Sequence, residues 1–214
     1  MAADCPKQYL HIAGKSILQH SVRAFLDQAA IAHVFVVVSA DDAYAGSEVK
    51  PDARLTMLYC GGATRSDSVR NGLLAMQNQV GPDDWVMVHD AARPGINASL
   101  ISRLIEQTGN DTAGGLLAVP VADTVKLQTA TTITTVPRAG LWLAQTPQMF
   151  RHAQLLAALD HAKVNNVDIT DEASAMEAAG YTPVLVPGHW CNTKITRPDD
   201  LTLVESLMTK TVQS

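Results

Sequence analysis

The 214-residue chain is 47% hydrophobic and 17% charged with a formal net charge of −5, enough apolar material for a sizeable core and too little charge for global disorder. The acidic balance argues against a broad nucleic-acid surface but leaves room for a local basic pocket that binds an anion. No apolar run approaches the roughly 18 residues of a membrane span, and the polar start lacks a signal-peptide core.

The chain opens on "MAADCPKQYL", in which Pro6 and Lys7 precede a helix without a strand ahead of them. "SILQHSVRAFLDQ" places apolar residues at helical spacing with Ser16 as N-cap. "HVFVVVS" (His33 to Ser39) is a continuous β-branched run, as expected of a strand covered on both faces. "LTMLYC" (Leu55 to Cys60) is a second strand, stopped by Gly61 and Gly62, and "SDSVRNGLLAMQNQ" is a helix with Ser66 and Asp67 near its start. "DWVMVHD" reads as a strand ending at Asp90, "NASLISRLIEQTG" as a helix between an Asn97 cap and a Gly109 stop, and "GGLLAVPV" as a fourth strand. This alternation predicts an α/β fold with a largely parallel sheet and helices on both faces.

The rhythm breaks over 122–141. "TVKLQTATTITTVPRAG" is Thr-rich, β-prone and short of large apolar residues, so a projecting hairpin arm fits it better than a core element. Such an arm is most stable against a second subunit; a solvated surface hairpin is the alternative. Beyond it come the helices "HAQLLAALDHAK" and "TDEASAMEAAG", the strand "TPVLV", a short strand "NTKIT" and a last helix after Pro198.

Ligands of open α/β sheets bind where strand ends lead into loops, which selects four stretches. In "YCGGATRSDSV" two glycines and a helix start offer backbone N–H groups to an anion, although any strand-to-helix turn can carry Gly-Gly. In "VMVHDAARP" Asp90 stands at a strand end, Ala91 and Ala92 leave room for a ligand, and Arg93 follows; a plain Asp90–Arg93 ion pair is the competing reading. His89 faces the other side of that strand and supports packing. "AQTPQMF" supplies Gln145, Thr146 and Gln148, and "NTKITRPDD" places Lys194 at the end of a late strand.

Together these provide Lys7, Arg93, Arg138 and Lys194 as cations, Ser68, Thr124 and Thr146 as hydroxyl donors, and Asp90 as acceptor. Neither a Ser-His-Asp elbow nor a His/Cys metal cluster competes with them. Phosphoryl or nucleotidyl transfer needs such a set, because the protein there positions reactants and neutralises charge. Cys5, Cys60 and Cys191 are odd in number and far apart, as free thiols in a reducing cytosol would be.

The ordered motifs "CPKQYL", "RSDSV", "VHDAARP", "PVADTVK", "GLWLAQTPQMF", "ITDEASA" and "NTKITRPDDL" resemble the 2-C-methyl-D-erythritol 4-phosphate cytidylyltransferase family from Asp4 to about Leu207. The resemblance implies a Rossmann-like sheet, one nucleotidyltransferase domain over 1–214, and an arm that clasps a second subunit. It implies that Lys7 and Lys194 hold the triphosphate and act on the α-phosphorus of CTP. By the same resemblance Gly61, Gly62, Ser68, Asp90 and Ala91 contact CTP, and Arg93, Thr124, Arg138 and Thr146 contact the sugar phosphate. Mg²⁺ bridging the triphosphate is implied, held mainly by the nucleotide because the sequence shows no carboxylate cage. A phosphate monoester, with its second pKa about 6, needs no general base to attack. Two features depart from the family. Pro137 replaces a frequent aspartate, and the strand with glycine-rich loop that precedes "CPKQY" elsewhere is missing ahead of Met1. Ribitol 5-phosphate cytidylyltransferase and a non-catalytic nucleotide-binding protein are the competing readings.

Overall fold

The computed structural model describes residues 6–109 and 111–211, so Cys5 and the residues before it lie outside the described set. Lys7–Tyr9 makes one 3-10 turn, and His11–Ile12 (β1) with Lys15–Ser16 (β2) forms a minimal antiparallel hairpin. Ser16 then accepts from the Gln19 N–H at 3.2 Å and starts α1 (Ile17–Leu26), which buries Ile17, Leu18, Val22, Phe25 and Leu26. The hydroxyl satisfies one of the donors that every helix start leaves free.

β3 (Val34–Val37) and β4 (Leu55–Leu58) pair in parallel, with the short helix α2 (Ala45–Glu48) between them. Thr64 caps α3 (Arg65–Ala75), placing Arg65 in its first position. β5 (Trp85–Val88) stops two residues before Asp90. α4 (Ala98–Thr108) runs between Asn97, which accepts from Leu100 N–H, and Gly109. β6 (Gly115–Pro120) leads to the arm, β7 (Val125–Gln128) and β8 (Ile133–Val136). β9 (Trp142–Arg151) runs into α5 (His152–Val164), followed by α6 (Glu172–Ala178), β10 (Val184–Pro187), a 3-10 turn at Trp190–Asn192 and α7 (Pro198–Thr211).

Two expectations change. "AQTPQMF" is no loop but the body of β9, the strand that runs antiparallel to both β5 and β6, so the four-stranded sheet β10-β6-β9-β5 is mixed. Its glutamines and Pro147 conceal a strand because their polar ends are satisfied inside the protein. Lys194 follows a 3-10 turn, and residues 193–196 join no ladder.

β3–β4 forms a separate parallel pair. It is tied to the larger sheet by helices on both faces. Phe25 of α1 belongs to the cluster on which Val34, Trp85 and Met87 pack, and Leu73 of α3 to the one that takes Val86 and Val88. Phe150, Leu117, Leu155, Ile101 and Leu104 are fully enclosed, each worth roughly 1.5–3 kcal/mol of burial. The arm is the opposite case. β7 and β8 pair with each other, and Leu127 and Ile133 are 54% and 68% exposed.

Candidate active site

The site grows from the turn after β5. The Asp90 N–H donates to the Thr146 hydroxyl at 3.0 Å, and that hydroxyl stands 3.0 Å from His89 Nδ1. His89 Nε2 lies 3.2 Å from the Arg93 carbonyl. With a neutral ring, which burial favours, one assignment satisfies all three contacts: Thr146 donates to Nδ1, and the imidazole donates from Nε2 to the carbonyl. His89 is thus a strut under the turn, with its ring 5.1 Å from that of Phe25. Thr146, expected to face a substrate, is buried behind Asp90 and supports it instead.

Burial pushes the His89 pKa down to about 4, against the partial pull of Asp90, whereas the unfolded chain titrates near 6.5. The unfolded state binds more protons between these values, so stability is fully present above about pH 6.5 and is lost as pH falls toward 4. The wild type is expected to lose about 2 kcal/mol between pH 7 and pH 5 from this group. His89→Gln, which keeps an acceptor and a donor, should lose that much less. Equal pH dependence of chemical denaturation in the two proteins would refute the assignment.

The Asp90 carboxylate points to the sheet rim and divides its oxygens. Oδ1 accepts from Arg65 Nε at 2.7 Å, Oδ2 meets Lys194 Nζ at 2.8 Å, and Arg93 Nε stands 3.8 Å from Oδ2. Burial would raise its pKa, but Arg65 and Lys194 outweigh this and hold the carboxyl well below the usual carboxylate range. The Asp90–Arg93 pair, the competing reading of this stretch, is present but is the longest of the three contacts. Arg93 itself is spent on backbone, donating to the Asn192 carbonyl at 2.9 Å and the Ala144 carbonyl at 3.4 Å.

Those bonds seat the segment that carries Lys194. Ile195 N–H donates to the Ala92 carbonyl at 2.8 Å, and buried Asn192 donates to the Thr146 carbonyl at 2.7 Å. Gly95 makes the seat possible, since a Cβ there would lie 1.8 Å from the Cys191 carbonyl oxygen. Lys7 reaches the same segment, its Nζ 3.5 Å from the Ile195 carbonyl. Ala91 is anchored through its carbonyl, which accepts from the Ser21 hydroxyl at 2.8 Å.

The Gly61–Ser68 loop borders this cluster through Arg65. A Cβ on Gly62 would fall 2.4 Å from that of Asp67, so only glycine fits. The Gly62 N–H donates to Ser68 Oγ at 3.0 Å, and Ser68 donates to the Thr64 carbonyl at 2.9 Å, which closes the loop on itself. Gly61 N–H donates to the Val38 carbonyl at 2.8 Å. Thr124 and Arg138 stand apart at the arm's base, where Arg138 donates to the Ala122 carbonyl. Among the described residues no hydrogen bond or ion pair joins either of them to the Asp90 cluster.

Sequence reasoning missed two members. Arg65 donates from both terminal nitrogens to Glu172, at 2.6 and 3.0 Å, and Glu172 is 1% exposed. Gln148 supports them from beneath, donating to Asp171 and accepting from the Ala173 N–H, both at 2.8 Å. "RSDSV" and "TDEASA" carried the signal as charged residues at two helix starts, but an acidic first turn is also what any exposed helix prefers.

Among the described residues no group of three His, Cys, Asp or Glu side chains is placed to hold a metal, and no helix is long and apolar enough to cross a membrane. The rim carries three cations against two carboxylates, with Lys7 adjoining, and among the described residues its one histidine is half-buried and held toward the neutral form. Surplus cations beside a glycine loop suit a ligand rich in phosphate.

Fold and site together define a nucleotidyltransferase of the α/β class. The IspD family model, 2-C-methyl-D-erythritol 4-phosphate cytidylyltransferase, matches residues 1–210, and the chain belongs to that family. A protein of this name from Bordetella pertussis is 48% identical over 203 residues, covering 95% of this chain and 88% of its own. One from Ralstonia nicotianae is 49% identical over 216 residues, covering 96% and 85%. The crystal structure of a 4-diphosphocytidyl-2C-methyl-D-erythritol synthase superposes with a TM-score of 0.86 at 40% identity, over 94% of each chain. The Francisella tularensis enzyme gives 0.83 at 38% identity, over 95% of this chain and 93% of that one.

Proposed function

We propose that this protein joins CTP to 2-C-methyl-D-erythritol 4-phosphate and releases pyrophosphate, a reading supported by its membership of the 2-C-methyl-D-erythritol 4-phosphate cytidylyltransferase family. The observation that carries the reading is Asp90 holding Lys194 at the rim, with Lys7 against the same segment. In this reading the sugar phosphate attacks the α-phosphorus in line, already largely dianionic since its second pKa is about 6. Lys7 and Lys194 meet the charge that builds on the phosphates, and the Gly61–Ser68 loop and Ala91 border the nucleoside. Mg²⁺ accompanying CTP would be held mainly by the nucleotide and would supply charge neutralisation at the phosphates, since among the described residues no group of three His, Cys, Asp or Glu side chains is placed to hold it. Turnover of CTP with methylerythritol phosphate and with ribitol 5-phosphate is the test. Preference for ribitol phosphate, or binding of CTP without turnover by either acceptor, would overturn the assignment.

The arm fits a homodimer in which Thr124 and Arg138 serve the partner's site. Leu127 and Ile133 of the arm are exposed, and so are Trp142, Leu143 and Trp190. These share one region, because Leu143 and Trp142 pair with Val119 and Pro120, and Gly188 N–H donates to the Ala118 carbonyl nearby. Mixing inactive Arg138→Ala and inactive Lys194→Ala subunits should then restore about a quarter of wild-type activity, one working site in each mixed dimer. No recovery, after unfolding and refolding the mixture, would refute a shared site.

Cys60 and Cys191 are free thiols, consistent with a cytosolic setting.

A further inference from the structure

The buried carboxylate Glu172 has no evident part in handling CTP, yet it is tied to Asp90 and Lys194 through Arg65. It opens α6, whose capping box between Asp171 and Ser174 already satisfies the helix start without it. Its exposure is 1%, that of Arg65 34%, of Asp90 10% and of Lys194 36%. The four form a chain from the core to the surface. Burial pushes the Glu172 carboxyl up and the Arg65 guanidinium opposes that push. Such a pair is costly to bury for stability alone.

The geometry gives it another use. An arginine left to itself beside a carboxylate tends to bind both oxygens with a two-pronged fork. Here both terminal nitrogens of Arg65 are taken by Glu172, leaving the Nε edge for Asp90. Arg65 therefore engages Oδ1 alone, and Oδ2 stays available to Lys194 at 2.8 Å.

We propose that Glu172, acting through Arg65, keeps one oxygen of Asp90 free to position Lys194. Glu172 is a positioning residue in this scheme. Without its charge, Arg65 turns its fork onto Asp90, competes with Lys194 for Oδ2, and the lysine loses its fixed place at the rim. The inference rests on the transfer reaction proposed above only for its kinetic readout.

Two measurements test it. In the first, Glu172→Gln should lower kcat roughly 10- to 100-fold with the KM for CTP within about threefold, the signature of a lost positioning interaction. Arg65→Lys, a partly exposed site that tolerates the change, should show the same split, because one ammonium cannot hold two carboxylates in those directions. In an Asp90→Asn background Glu172→Gln should add little further loss, because the path to Lys194 is already broken. Wild-type kcat in Glu172→Gln, a rise in KM alone, or losses that multiply with Asp90→Asn would overturn the proposal.

The second readout does not need turnover. The Arg65 Nε–H signal in nitrogen-15 NMR should move in Glu172→Gln and in Asp90→Asn. An unmoved signal in folded Glu172→Gln overturns the positioning scheme whatever the kinetics. Shifts of this signal in both variants, with a wild type that turns over no CTP, would count against the proposed function and leave the scheme supported.

Discussion

Lys194→Ala is expected to lower turnover of CTP by roughly 10²- to 10³-fold, the usual cost of removing one preorganised group that meets developing charge. The ammonium lies 2.8 Å from Asp90 and is one-third exposed, so it is oriented by a carboxylate while its open side faces the rim. Its loss leaves Asp90 paired with Arg65 at 2.7 Å and opens no core cavity. The melting temperature should therefore fall by only about 2–4 °C, the cost of roughly 1 kcal/mol when a part-buried carboxylate loses one of its partners and keeps another. Lys194→Arg should recover little, because a planar fork does not replace a compact ammonium. Release of pyrophosphate and thermal unfolding, measured together, check both halves; near-normal turnover would remove Lys194 from the mechanism.

Gly95→Ala should damage stability and activity at once. The added Cβ would lie 1.8 Å from the Cys191 carbonyl oxygen and 2.7 Å from its carbon, both backbone atoms that no rotamer change can move. The 191–195 segment would be pushed off the Ala92 carbonyl, which accepts from Ile195. Overpacking of this kind costs roughly 3 kcal/mol, a drop of about 6–12 °C in melting temperature for a chain of this size. Lys194 moves with the segment, so the surviving folded protein should also turn over slowly. Gly46→Ala is the control, since its nearest neighbour, the Tyr59 hydroxyl, is 3.7 Å away and the site is helical. An unchanged midpoint in Gly95→Ala would show that the two loops are not clamped there.

Much of this was legible in residue order. The periodicity and caps of α1 and α4 are local properties, and Ser16, Asn97 and Gly109 stand where helix ends require them. The arm was legible because a Thr-rich, β-prone run without large apolar side chains has nothing to bury on its own. β9 was not, because Gln145 and Gln148 look like loop residues until partners distant in sequence satisfy them, His189 for one and Asp171 for the other. Lys194 reads as a strand residue for a similar reason. "NTKIT" alternates as a strand does, but its ladder is replaced by Asn192, Ile195 and the turn after β5.

What the sequence determined by itself was the family, the α/β rhythm and the identity of the charged groups at strand ends, since motif and periodicity are written in neighbouring residues. The tertiary structure alone decided how those charges are shared. Whether Arg65 meets Asp90 by one edge or both depends on Glu172, 107 positions away, and whether Thr146 faces a ligand or holds Asp90 depends on the path of β9. Such choices are made by burial and competition for hydrogen-bond partners, which exist only once distant segments have met.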